Sequence, residues 1–351
     1  MIRKSTIKVD YANNGKLDKL DLIFIESKRV INLFVDMLWD FGDFKSMFIY
    51  SKTETWLSAR LQQCLGKQAI GIVKSQHKKK KKTKPCFDKD CILLDSRFVD
   101  IKHNQNSFDM WIKLSSIGNR IILKLPGRKH KQFNKFDSTW GLLKAVRLRK
   151  ANGHYYIDLF FSKEEPAKRE VGNSIGIDIG YKKLIVVSDG RQSGDMVSIY
   201  EKLSRRKHGS KAFKKSLTER NQTINREINK LDFSITKEIV VENLKNVKRG
   251  TKGKIRKVFM NKLQRWSYLR VFDKLSRVCE ESGIDFIRVN PAYTSQTCNK
   301  CGLVDKKSRN GEKFLCTGCG MSMDADFNAA INILHRGVYS LSTVGTVNEC
   351  L

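Results

Sequence analysis

The sequence predicts an α/β protein. An open sheet of three antiparallel strands extended by two parallel ones follows two N-terminal helices and a small basic antiparallel β-barrel. Three observations predict it. Apolar residues recur at helical spacing up to about residue 75, then switch to short β-rich runs between 90 and 165. Beyond residue 170, strands alternate with helices, and two C-x-x-C pairs interrupt that alternation before a final helix.

Size and charge narrow the function. A chain of 351 residues is too long for one small core, so two or three domains are expected. Lys and Arg number 68 against 36 Asp and Glu, a formal net charge of +32. A surface this basic repels itself, which points to a polyanionic partner, nucleic acid before an acidic membrane. No long apolar span or basic amphipathic anchor supports the membrane reading. The N-terminal MIRKSTIKVDY lacks the apolar core of a signal peptide, so an intracellular location is expected. In that setting nine cysteines are read as thiols or metal ligands rather than disulfides.

In the N-terminal half, Leu17, Leu20, Ile23, Phe24, Val30, Leu33, Phe34, Met37 and Leu38 predict an amphipathic helix over 17–45. Ser51-x-x-Glu54 has the spacing of a capping box and predicts a second helix running through WLSARLQQCLGKQAIGIVKSQ. The five lysines Lys78–Lys82, closed by Pro85, cannot pack in a core; they read as a solvated linker, a phosphate contact, or both. Five strands follow in CILLDSRFVDIK, SFDMWIKL, NRIILKLP, WGLLKAVRLRK and HYYIDLFFSK, bounded by the turn signals SIGN, LPGR and ANGH. Five strands of this length suggest a small barrel. Arg128, Lys129, Lys131, Arg147, Arg149 and Lys150 would make it a nucleic-acid platform, against the plainer reading of a solvated surface.

In the C-terminal half, SIGIDIG, KKLIVVSDG and DMVSIYE read as three strands, 201–230 as a basic helix and KEIVVENL as a fourth strand. A helix over 258–282, the strand IDFIRVNP and a closing helix DADFNAAINILHR complete the order. That order is the one found in the ribonuclease-H-like fold. Within it, Asp178 interrupts a buried strand, Glu242 ends the adjoining one, and Asp326 stands at the start of the last helix. Singly each is weak, since Asp326 would also serve as an N-cap. Together, three converging carboxylates need cations, and oxygen-only ligation favours Mg²⁺ or Mn²⁺. Two such ions about 4 Å apart suit phosphodiester hydrolysis.

Cys64, Cys86, Cys91, Cys279 and Cys350 are scattered. Cys298, Cys301, Cys316 and Cys319, by contrast, form TCNKCGLVDKKSRNGEKFLCTGCG, and four thiolates around Zn²⁺ make a closed structural site, a zinc ribbon.

With GIDIG, VVENL, NPAYTSQTCNKCG, CTGCG and DADFNAAINIL in place, the chain resembles TnpB, the nuclease of certain insertion sequences, and the related miniature type V CRISPR effectors. The resemblance is specific over 172–335 and looser before it. It implies a wedge-like barrel from 1–15 and 85–170, a helical recognition domain over 16–84, and a RuvC-like nuclease domain over 171–351 with the ribbon at 291–322. Asp178, Glu242 and Asp326 become the catalytic acids and magnesium ligands, and the four ribbon cysteines the zinc ligands. It also implies a prokaryotic cytoplasmic protein holding a guide RNA and cutting double-stranded target DNA beside a short adjacent motif; the oligomeric state is open, with a monomer favoured. The alternative is a guided, repressor-like DNA-binding protein without effective cleavage; a strand-joining transposase has no supporting Tyr or Ser domain. Two departures stand out: Ala325 lies where the family has Arg, and the segment before KEIVVENL is short. Neither removes a carboxylate.

Overall fold

The computed structural model describes residues 1–41, 53–79, 83–105, 107–116, 121–244 and 265–345. It divides into two units, Met1–Glu164 and Glu165–Leu351.

The first unit runs β1 (Ile2–Lys8), α1 (Asn14–Phe41), α2 (Ala59–His77), β2 (Cys91–Leu94), β3 (Val99–Gln105), β4 (Phe108–Ser115), β5 (Ile122–Gly127), α3 (Lys131–Asp137), β6 (Gly141–Ala151) and β7 (His154–Ser162). Leu20, Phe24, Ser27, Ile31, Phe34 and Leu38 return to one stripe of α1 every three or four residues. They bury it in the same core as Leu61 and Leu65 of α2 and the inner faces of the strands.

Several expectations change here. The five strands become seven, in two antiparallel sheets ordered β1-β7-β6-β2 and β3-β4-β5. CILLDSRFVDIK is broken at Asp95, whose carboxylate and carbonyl accept from the amides of Arg97 and Phe98 to form a turn. The N-terminal strand β1, unread in the sequence, pairs along its whole length with β7. The ANGH turn is as expected, with Asn152 and Gly153 both at positive φ as a two-residue hairpin requires. Ser51 lies outside the described residues, and Glu54 precedes the helix rather than joining its first turn; α2 is capped by Ser58, whose hydroxyl accepts from the Leu61 amide. Of the five lysines, Lys80–Lys82 lie outside the described residues.

The second unit runs β8 (Asn173–Asp178), β9 (Lys183–Val187), β10 (Gln192–Asp195), α4 (Val197–Ser204), α5 (Lys211–Lys230), β11 (Thr236–Glu242), α6 (Tyr268–Ser282), β12 (Asp285–Val289), the short strands β13 (Arg309–Asn310), β14 (Lys313–Leu315) and β15 (Ser322–Asp324), and α7 (Ala325–Gly345). The main sheet is ordered β10-β9-β8-β11-β12. β8, β9 and β10 are antiparallel, while β11 and β12 run parallel to β8. DMVSIYE is not a strand. Met196, Tyr200 and Leu203 are buried at helical spacing, so VSIYEKLS coils into α4 and the edge strand is the preceding QSGD. The expected single basic helix is two, broken where Gly209 takes a left-handed φ and Ser210 caps α5 by accepting from the Phe213 amide. The helix expected over 258–282 is seen as Tyr268–Ser282, residues 245–264 lying outside those described.

Alternation along the strands sorts the sheet's two faces. Ile175, Ile177, Ile239 and Val241 join the core of α4–α6, while Val240 and Val289 meet Ile333 of α7 on the other side. Gly176 belongs to the α7 face. A Cβ there would stand 2.1 Å from the Ala330 carbonyl oxygen and 2.6 Å from the Leu334 amide nitrogen, so the helix backbone rests directly on the strand. Gly176→Ala should therefore push α7 off the sheet and cost about 2–4 kcal/mol in chemical denaturation. An unchanged unfolding midpoint would contradict that contact.

Candidate functional site

The same alternation places the acids. Asp178 follows Gly176 by two residues and Glu242 follows Val240 by two, so both fall on the α7 face at the C-terminal ends of neighbouring parallel strands. Asp326 lies one helical turn before Ala330 on α7. All three line one cavity of about 1010 Å³. The N-cap role that competed for Asp326 is taken by Asp324, whose Oδ1 accepts from the amides of Asp326 and Phe327, each at 3.0 Å. Asp324 is in turn held by Lys183 at 2.6 Å.

Three acids in one cavity disturb one another. Burial, then the charges of Glu242 and Asp326, push the Asp178 carboxyl up to about 8. Burial also raises Glu242, against the hydroxyl of Thr294, which donates a short hydrogen bond to its Oε1. Arg309 is the compensating charge: its Nη2 lies 2.7 Å from Asp326 Oδ1, and it lines the same cavity. A cluster of hard oxygen donors that cannot all ionise unaided fits a magnesium or manganese site.

Arg309 begins β13 inside the four-cysteine insert. There the sulfurs of Cys298, Cys301, Cys316 and Cys319 all lie within 4.8 Å of one another. Cys298–Cys319 and Cys301–Cys316 are 3.7 and 3.6 Å apart. Tetrahedral zinc, with Zn–S near 2.3 Å, spaces its sulfurs by about 3.8 Å. The amide of Cys319 leads in holding the Cys316 thiol down to about 6. The Leu303 amide favours the Cys301 thiolate, but its hydrogen bonds to Cys319 and the other thiols push it up to about 12. The clustered thiols therefore cannot all ionise without a cation, and these cysteines fit zinc.

The insert is tied to α7. Asn328 and Asn332 donate to the Thr297 carbonyl at 2.8 and 2.7 Å, and Asn332 donates also to Thr294 at 3.0 Å. Arg336 donates to the carbonyls of Asn290 and Ala292. These bonds fix the loop that carries Thr294, and so the carboxylate of Glu242. Sequence reasoning missed Arg309, Thr294 and Asp324. Only Asp324 left a readable signal, as the Asp three residues before Phe327 at a helix start. Ala325, where an Arg was expected, is fully buried.

The basic residues of the first unit separate. Lys129 is paired with Asp137 and Lys150 with Asp21. Arg128 lies over Tyr11 and Phe108. Arg147 and Arg149 share the outer face of the four-stranded sheet, lying over Phe160 and Tyr156 around the buried Asp158. Lys131 stands in the first turn of α3, away from that pair in sequence and element. In the second unit, Arg205 and Arg206 line a small cavity with Lys202.

Fold and site together define a mixed α/β protein with an acidic cavity beside a four-cysteine ribbon. Residues 268–333 match the family described as Cas12f1-like, TNB domain. Over 80 residues the chain is 42% identical to the CRISPR-associated endodeoxyribonuclease Cas12f1 of Sulfoacidibacillus thermotolerans, a span of 22% of this chain and 19% of that protein. It is 36% identical over 106 residues to a TnpB-like protein of Aquifex aeolicus, covering 29% of this chain and 34% of the other. It is 27% identical to the putative RNA-guided DNA endonuclease InsQ of Escherichia coli, covering 67% of each. A cryo-EM structure titled as a Cas12f1–sgRNA–target DNA complex shares the fold, with a TM-score of 0.58 at 17% identity over 91% of this chain and 81% of that one. The chain is thus similar to TnpB-like proteins and Cas12f-type CRISPR-associated nucleases, and it spans under half the length of the first of these curated proteins.

The raised carboxyl gives a pH test. Folded Asp178 keeps its proton to about pH 8, whereas an unfolded aspartate releases it near 3.8. Without divalent cations, the folded state thus loses stability as pH rises between those values. Asp178→Asn should match wild type near pH 4 and exceed it at pH 7–8 by about 1–4 kcal/mol, a pKa unit being about 1.4 kcal/mol. Urea titrations in EDTA across that range measure the difference, and parallel curves would contradict it.

Proposed function

We propose that the chain is an RNA-guided DNA endonuclease with a RuvC-like, ribonuclease-H-like site, in which Asp178, Glu242 and Asp326 hold divalent cations. The observation that carries it is the meeting of these carboxylates, from three remote stretches, in one cavity. The relatives named as RNA-guided or CRISPR-associated nucleases support it.

Magnesium, two ions in this reading, supplies water activation and neutralises charge on the leaving oxygen when bound. The protein's residues do the rest. Thr294 holds one oxygen of Glu242 and leaves the other for the cavity. Arg309 holds Asp326 through one nitrogen, and its remaining N–H groups are donors for a phosphate oxygen. Lys182 and Lys313 add positive charge to the cavity wall for the strand's phosphates. Zinc, held by Cys298, Cys301, Cys316 and Cys319, keeps the segment carrying Arg309 folded. In this reading the RNA pairs with the target, and the protein reads the adjacent motif and the backbone. Arg147 and Arg149 are candidate phosphate contacts.

Guided binding without cleavage is favoured by one observation, the Arg309–Asp326 ion pair, which engages one of the acids. Cleavage separates the readings. The protein, purified with the RNA it carries, is expected to cut a plasmid bearing the matched target with Mg²⁺ and not in EDTA. Glu242→Ala should lower cleavage by at least about 10³-fold, within the scale of catalytic-group losses, while DNA retention stays near wild type. Retention without any Mg²⁺-dependent cut in wild type would decide for guided binding.

A further inference from the structure

The loop that locks Glu242 contains an unexplained tyrosine. Tyr293 has φ 65°, in the left-handed region, where glycine or asparagine is preferred and a bulky side chain is strained. The backbone has a reason for this bend. The Tyr293 carbonyl accepts from the amides of Gln296 and Thr297 and from the Thr297 hydroxyl, turning the chain so that Thr294 reaches Glu242. That requirement concerns the backbone alone, and the sequence meets it with an aromatic ring that is 61% exposed. Burial therefore does not account for the ring.

Its neighbours face the cavity. Pro291, Thr294 and Ser295 line the space shared by the three carboxylates. The loop cannot readily relax, because Asn332 and Arg336 of α7 hold the carbonyls of Thr294, Asn290 and Ala292, and the Asn290 side chain accepts from the Ala292 amide. A rigid, solvent-facing aromatic beside a site for a polyanionic strand suits one ligand surface, the π-face of a base. Every nucleobase has such a face, and only an unpaired, unstacked base can offer it. Resting on the nuclease reading above, we propose that Tyr293 stacks on a base of the single DNA strand drawn towards the carboxylates, fixing the strand's register beside the site. It is a positioning residue: it touches the strand away from the reacting phosphate.

The probe is a short single-stranded oligodeoxynucleotide carrying 2-aminopurine at successive positions, bound without divalent cation to the full chain with its copurified RNA. Wild type should quench the fluorophore at one position. Tyr293→Asn, whose side chain accepts the left-handed φ, should fold with a melting temperature no lower than wild type. It should lose that quench and bind the strand about tenfold more weakly. Tyr293→Phe should retain both. Equal quench profiles for wild type and Tyr293→Asn would overturn the proposal, as would a Tyr293→Phe that behaves like Tyr293→Asn. A wild type that shows the Tyr293-dependent quench yet cuts nothing with Mg²⁺ would sustain the stacking and sink the nuclease reading.

Discussion

The close approach of α7 to β8 over Gly176 is the constraint on which the acidic site depends. Parallel strands direct Asp178 and Glu242 to one face and one end of the sheet, but they do not supply the third acid. That comes from a helix, and a helix normally packs on a sheet with side chains between. Removing the side chain at residue 176 lets the α7 backbone settle against the strand. Gly337 repeats the arrangement further along, where a Cβ would meet Val240 within 2.7 Å. The helix is thus seated at two points on two neighbouring strands, and its first turn carries Asp326 over the strand ends.

The resulting charge is balanced from outside the sheet. A guanidinium from the ribbon, a hydroxyl from the loop before it and asparagines on α7 together restrain two of the three acids. The four-cysteine site and the carboxylate site are therefore coupled mechanically. The first holds the segment that begins with Arg309, and Arg309 opposes the burial and neighbouring charges that keep Asp178 protonated. Zinc bound by these four cysteines would influence the acidic site in this way without taking part in chemistry.

Much of this was legible in the sequence because the signals are local or periodic. Short apolar runs revealed β8, β11 and β12, and two C-x-x-C pairs revealed the ribbon. What failed were places where local pattern was ambiguous or the partner distant. DMVSIYE contains β-branched and aromatic residues, yet its buried positions recur at three and four, a helical period that short windows conceal. Ser51-x-x-Glu54 imitated a capping box seven residues before the true cap at Ser58. β1 is polar and basic on its outer face and becomes a strand only because β7 pairs with it across the whole first unit. Arg309 lies 17 residues before Asp326 in a polar stretch, and no spacing rule links them.

In the proposed cation site, burial and then the charges of Glu242 and Asp326 keep Asp178 protonated until a cation arrives. Calorimetric titration of Mg²⁺ at pH 7, repeated in buffers of different ionisation enthalpy, tests this most directly. With Asp178 pushed up to about 8, binding should release about one proton per site, with the release absent in Asp178→Asn. Heats that do not depend on the buffer, or a release of the same size in the variant, would contradict the account.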